Sequence, residues 1–436
     1  MERYSEYKDS GVQWLGEIPE HWKIVPFKSV FELSKGLSIT KANLVEEGVD
    51  VISYGQIHSK QNKYTEILPS LYRKVAEEYL QTNPQSLGRK EDFLFADTSE
   101  DITGSGNFVR VDKDQVLFAG YHTIIGKNRK RECGNYLAYL MQSDNWRLQV
   151  WVQVHGVKLY SISRTILNST KFILPPLTEQ QAIVSYLDVK CSKLDTLVEN
   201  KEKEISLLSE MKQRIIADAV TRGLNPNVKF KRSNIPWLPE IPEYWEEKRL
   251  SSKFVGDVDV NKGFVYKHAF KFNYGELVPK NETGDSEEYR DTYIKYSLIK
   301  KGDILINGLN LNYDFVSQRV ACAPNDGIIT SAYLVCRPRK GVYYNYYTYL
   351  FKAMDGMKLF HGMGSGIRLT LSFKELKKQM LTVPPLSEQQ AIVSYITERT
   401  AKIDSLIEKL NKEIECIKEY KQRLISDVVT GQIKVS

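Results

Sequence analysis

Two long stretches of the chain place apolar side chains in alternating steps of four and three. The first seam runs through Leu187, Cys191, Leu194, Val198, Lys201, Ile205, Leu208, Lys212, Ile215 and Ala219. The second runs through Ile396, Thr400, Ile403, Ile407, Leu410, Ile414, Ile417, Lys421, Leu424 and Val428. This stepping is the seam of a coiled coil. No proline or glycine interrupts either stretch between Pro176 and Gly223, or between Pro385 and Gly431. The glycines suit helix C-termini. At the other ends Thr178 and Ser387 each stand three residues before a glutamine, Gln181 and Gln390, a pattern that predicts a capping box. Each helix, at about 44 residues and 1.5 Å rise, spans roughly 65 Å. A helix that long with one apolar stripe requires a partner in water.

The partner is written in the same chain, because the sequence is duplicated. LPPLTEQQAIVSY (174–186) recurs as VPPLSEQQAIVSY (383–395), and Pro175 recurs as Pro384, an offset of 209. KQRIIADAVT (212–221) returns as KQRLISDVVT (421–430) at that same offset. Upstream, WLGEIPEHW (14–22) returns as WLPEIPEYW (237–245) at an offset of 223, so the region between the two blocks is 14 residues longer in the first copy. The predicted order is a conserved segment (1–22), a variable domain (23–174), a long helix (175–224), a linking segment (225–247), a second variable domain (248–383) and a second long helix (384–436). If a pseudo-two-fold axis relates the copies, the helices form an intramolecular antiparallel coiled coil. Pairing between separate chains is the alternative.

Inside the variable domains, DFLFAD (92–97) and GDILIN (302–307) read as strands, and 136–150 and 344–360 as helices. The predicted class is α+β. The YYNYYTY run (343–349) reads as a helix face turned to the core rather than as a base-stacking surface.

Composition narrows the function more than it names it. A 436-residue chain with 42% hydrophobic and 26% charged residues is globular and has several cores. It holds no run of 18 apolar residues, and MERYSEYKDSG lacks an apolar leader core, so a cytoplasmic location is expected. Five scattered cysteines form no CxxC pair, and six histidines form no metal spacing, so no metal site is expected. There is no GxxxxGK[ST] and no GxSxG, and the Pro-Pro pairs follow Leu174 and Val383 rather than the polar residue of an adenine-methylase loop. No catalytic residue is predicted. The net charge of +7 is mildly basic, as a DNA binder would be.

The helix-opening motifs LPPLTEQQAIVSYLD and VPPLSEQQAIVSYIT, with the two WLxEIPExW segments, resemble the conserved regions of type I restriction–modification specificity subunits, in order and along the whole chain. The resemblance implies a non-enzymatic subunit with two target-recognition domains for the two halves of a split DNA site. It also implies two modification subunits that methylate adenine with S-adenosylmethionine, and two restriction subunits that use ATP and Mg. Glu179, Gln180 and Gln181, and their copies Glu388, Gln389 and Gln390, fall at the family's helix-opening motif as caps and partner contacts, beside Thr178 and Ser387.

DNA affinity needs Lys and Arg at phosphates, and specificity needs donors and acceptors at base edges. Lys127, Arg129, Lys130 and Arg131 form a dense basic run in the first domain, with Arg337, Arg339 and Lys340 at the comparable place in the second. Two glycine-flanked segments, HGVKLY (155–160) and SGIRLT (365–370), lie at corresponding points and would aim Lys158, Tyr160 and Arg368 at the duplex. Readings from other classes are a coiled-coil scaffold that binds no DNA and a self-sufficient methylase.

Overall fold

A computed structural model describes residues 2–12, 15–129, 133–156, 159–256, 258–281, 287–364, 366 and 369–435. The chain divides into two compact units, Met1–Lys201 with Lys412–Ser436, and Glu202–Asn411. Each unit holds one variable domain together with parts of both long helices.

In the first unit, β1 (Lys23–Pro26) leads through a short helical turn into β2 (Phe31–Lys35). Then come β3 (Phe93–Ala96), β4 (Phe108–Arg110), β5 (Thr123–Asn128), α1 (Gly134–Gln142), β6 (Lys171–Leu174) and the long helix α2 (Leu177–Arg222). An antiparallel sheet of order β4-β3-β5-β2 forms the centre of the domain, and β1 pairs with β6 at its foot. A second, five-stranded sheet is built from strands between Leu44 and Ala119 and includes one parallel pair.

The second unit repeats this plan with β7 (Glu246–Arg249), β8 (Phe254–Val255), β9 (Ile304–Ile306), β10 (Val320–Cys322), β11 (Leu334–Pro338), α3 (Tyr344–Gly356), β12 (Met380–Val383) and α4 (Leu386–Val429). Its sheet order is β10-β9-β11-β8, and β7 pairs with β12. The offset between copies falls from 223 at Lys23 and Glu246 to 211 at Asp92 and Asp303. Twelve of the 14 extra residues therefore lie between β2 and β3, in the region that builds the five-stranded sheet.

The helices pair antiparallel within each unit. In the first, Lys421 meets Asp195 at 2.6 Å and Lys201 meets Glu413, so one helix rises as the other falls. In the second, Lys212 meets Asp404 at 2.6 Å, and Gly223 lies against Glu388. The seam is buried or half-buried throughout, with Leu187, Cys191, Leu424 and Val428 in one core and Ala219 and Ile396 in the other. Three of the four seam positions with polar side chains (Lys201, Lys212 and Lys421) close these cross-helix ion pairs.

Each domain also docks one helix on the coil through matching tyrosines. Tyr136 of α1 donates to the carbonyls of Ile173 and Val429, and Tyr346 of α3 donates to Val220 O and meets Thr382 Oγ1. One turn on, Tyr139 donates to Asp188 and Tyr349 meets Thr397. The 343–349 run is thus a core face, with Tyr346 and Tyr347 buried. The helix expected over 136–150 is two: it breaks at Ser143, whose hydroxyl accepts from the Trp146 amide and caps a second helix, Asp144–Trp151.

Candidate nucleic-acid interface

The helix-opening motifs are locks rather than capping boxes. Both helices start two residues earlier than those caps predict, at Leu177 and Leu386. Proline's fixed φ suits a helix start, where its missing N–H costs nothing. The carbonyls of Pro176 and Pro385 accept from the Gln180 and Gln389 amides, so Thr178 and Ser387 sit inside the first turn. The side chains that fold back are Gln180 onto Pro175 O (3.0 Å) and Gln389 onto Pro384 O (2.8 Å). Glu179 accepts from the indole N–H of Trp22 at 2.6 Å and meets His21 at 2.8 Å. Its copy Glu388 accepts from Trp245 at 2.9 Å and from the Tyr244 hydroxyl at 3.0 Å. A carboxylate in the first turn also complements the helix dipole. Each glutamate ties the repeated WLxEIPExW segment to the start of its helix. Leu177, Thr178 and Gln181, and their copies Leu386, Ser387 and Gln390, stay exposed in both copies.

The described residues of the two candidate sets fall at opposite ends of the central sheets. Strand β5 starts beside the end of β3, with Thr123 opposite Ala96, and ends beside its start, with Gly126 opposite Phe93. The basic run after β5 therefore lies at the helix foot, where Arg129 N donates to Val30 O and the side chain pairs with Glu32 at 2.8 Å. Lys127, the last but one residue of the strand, lies there near Asp92, and Lys130 and Arg131 lie outside the described residues.

In the second unit the same end is more committed. Arg337 pairs at 2.8 Å with Asp303, which is buried, and donates to Leu298 O. A guanidinium held this way braces the fold. Arg339 donates to Ser251 O and is exposed, as is Lys340.

The glycine-flanked segments lie at the other end, away from the helices. Tyr160 and Ser161 pair with Ser99 and Thr98 in the loop that follows β3, and Ile162 N donates to Asp97 O. In the second unit Leu311 N donates to Leu369 O and Leu371 N to Gly308 O, which ties the same segment to the loop after β9. Lys158 and Arg368 lie outside the described residues. Each domain therefore presents a two-part loop surface at its far end.

These surfaces differ in chemistry. In the first domain the loop borders a cavity of about 650 Å³ lined by Tyr54, His58, Tyr64, Thr98, Glu100 and Arg147, among others. His58 Nε2 lies 2.7 Å from Thr98 O, and His122 Nδ1 lies 3.1 Å from Asp97. The Gly104 amide and the Thr103 hydroxyl bond Asp101 and hold its carboxyl below the usual range. In the second domain the loop is apolar at its tip. Among the described residues no cluster of His, Cys, Asp and Glu has a metal site's make-up.

Comparison with known proteins follows this geometry. The family model described as the type I restriction modification DNA specificity domain matches twice, over residues 19–207 and 242–416. The putative type I restriction enzyme MjaX specificity subunit of Methanocaldococcus jannaschii is 23% identical over 97% of this chain and 96% of its own length. The MjaVIII specificity subunit of the same organism is 25% identical over 96% and 94%. A chain solved in work on complex assembly and conformational transition of the type I R-M system shares the fold, with a TM-score of 0.65 at 17% identity, covering 95% of this chain and 99% of that one. With two matched domains that span most of its length and coincide with the internal repeat, the chain belongs to the type I restriction–modification specificity subunits.

Proposed function

We propose that this chain reads a split, asymmetric DNA site, one half-site per domain, and is itself non-catalytic. The observation that carries the reading is the pairing of a repeated scaffold with unlike loop surfaces. The sheet order, the helix-docking tyrosines and the Trp–Glu locks recur, and the far-end loops do not. A dimer-like frame presenting two different surfaces suits a target whose halves differ in sequence and face opposite ways.

In this reading the domains are residues 23–174 and 248–383, held by helices 175–224 and 384–436. DNA is met at the far end by Lys158, Tyr160 and Arg368. Lys127, Arg129, Lys130, Arg131, Arg337, Arg339 and Lys340 are the further cations that meet its phosphates. The exposed, repeated residues Leu177, Thr178 and Gln181, with Leu386, Ser387 and Gln390, give two equivalent docking patches, which suits two modification subunits. Two restriction subunits complete the nuclease, and S-adenosylmethionine, ATP and Mg belong to those partners. The place of action is the cytoplasm, with the DNA. Among the described residues no helix is long and apolar enough to cross a membrane.

Single-molecule mapping of adenine methylation in the host genome tests the proposal. Methylation at one split motif, lost when this gene is removed, is the expected result. An unsplit motif, or unchanged methylation after removal, overturns it. A scaffold that binds no DNA is excluded if duplex affinity of the purified complex falls steeply with salt, because phosphate contacts release counterions.

A further inference from the structure

The loop between β9 and β10 exposes large apolar side chains and is nevertheless tightly built. Tyr313 is 79% exposed, Phe315 54% and Val316 91%. A mobile surface loop would not need the internal frame found beneath them. The side chain of Arg319 is fully buried and donates to the carbonyls of Asn307 (3.0 Å), Leu309 (2.8 Å) and Asp314 (2.6 Å). Its own amide donates to Asp355. Asp314 accepts from the amides of Val316 and Ser317, which closes a turn at the tip. The ring of His361 stacks on Phe315 at 4.6 Å.

The backbone here is strained at two non-glycine positions, Asn310 (φ 51°) and Leu369 (φ 42°). A leucine in the left-handed region is unfavourable and persists only where its surroundings enforce it. Leu369 belongs to the glycine-flanked segment, and it holds the loop through Leu311. The chain around that segment is basic. Residues 357–371, the stretch that reaches the loop, include Lys358 and Arg368 and no acid. A rigid apolar tip rooted in a positively charged segment matches a polyanion that displays methyl groups, and the major groove of DNA displays them at thymine.

We propose that Tyr313 and Val316 are specificity-determining residues of the second domain, packing on thymine 5-methyl groups in the major groove of its half-site. The inference rests on the reading above that this end of the domain meets DNA. The equivalent loop of the first domain is mostly polar, with Thr98, Ser99, Glu100, Asp101 and Thr103 around one exposed apolar residue, Ile102. The first half-site is therefore read mainly through polar contacts.

The test uses the full chain, purified with whatever subunits accompany it, and a library of randomised duplexes. The half-site of the second domain is the one that changes when residues 248–383 are exchanged for a relative's. The selected duplex is then remade with deoxyuridine at each thymidine in turn, which removes only the methyl group. A thymine in the second half-site is expected, with binding weakened about fourfold on its replacement, the value of one buried methyl-sized group. Val316→Ala or Tyr313→Ala should abolish that sensitivity, leaving the first half-site and the melting temperature unchanged because both side chains are exposed. A second half-site without thymine, indifference to uracil, or variants that still sense the methyl would overturn the loop's role. If no split site is selected at all, the DNA-reading function fails instead, so the two failures are distinguishable.

Discussion

Trp22 and Trp245 are both fully buried, and each sends its indole N–H to a glutamate more than 140 residues further along the chain. No local pattern announces such a bond. Its trace in the sequence is that both partners were duplicated together, the tryptophan in WLxEIPExW and the glutamate in PPL[TS]EQQ. The duplication was legible, but its purpose was not, because a helix-start pattern with a hydroxyl and a glutamine invites a capping box, and proline's fit at the helix start moves the boundary. Replacing Glu179 or Glu388 by alanine orphans a buried donor, and a loss of about 1–3 kcal/mol is expected for each. Glutamine at either position keeps an acceptor, so its shift in the denaturant midpoint should be the smaller. Equal losses for alanine and glutamine would show that the charge, not the hydrogen bond, matters. Arg337 teaches the same lesson: its basic run is visible locally, but the acid that pairs with it, Asp303, lies 34 residues earlier, just before another strand.

At the scale of elements, the long helices, their glycine ends and the strands around 92–97 and 302–307 could be read, because periodicity and turn residues are local signals. The five-stranded sheet of the first domain could not, since its strands are two to four residues long and pair across distant segments. Nor could the end of the sheet at which Lys127, Arg129, Arg337 and Arg339 fall, which depends on strand register. The apolar loop after β9 is defined by hydrogen bonds to one carboxylate. The Ser317 hydroxyl, aided by the backbone amides of Ser317 and Val316, pulls the Asp314 carboxyl down to about 2 from its usual 3.8. A group depressed in the folded state stabilises it fully above the ordinary value, and the contribution is lost as pH falls toward 2. Amide exchange at Val316 and Ser317, corrected for intrinsic rates, should therefore be steady from pH 7 to about 5 and accelerate below about 3. Asp314→Ala should produce the accelerated state at neutral pH. Exchange that ignores both changes would mean the turn is held by Arg319 alone.

For the whole molecule, if each domain reads one half-site as proposed, the decisive property is the spacing between half-sites. The ion pairs Lys201–Glu413 and Lys212–Asp404 bracket a stretch in which residues 202–208 of α2 face 407–413 of α4. Removing both heptads keeps the seam in phase, because seven residues turn a helix nearly twice. The pair shortens by about 10 Å, the rise of roughly three base pairs along the duplex. Three base pairs also turn the second half-site by roughly 100°, given about 10.5 pairs per helical turn. The deleted protein should therefore prefer a spacer about three pairs shorter and bind it more weakly than the intact protein binds its own site, since the duplex must be twisted to present both halves on one face. Methylation mapping with the deleted chain measures both effects at once. Retention of the original spacer would mean that the helices do not set the distance, whereas loss of all split-site binding with an intact melting profile would mean that twist, not length, is the limiting constraint.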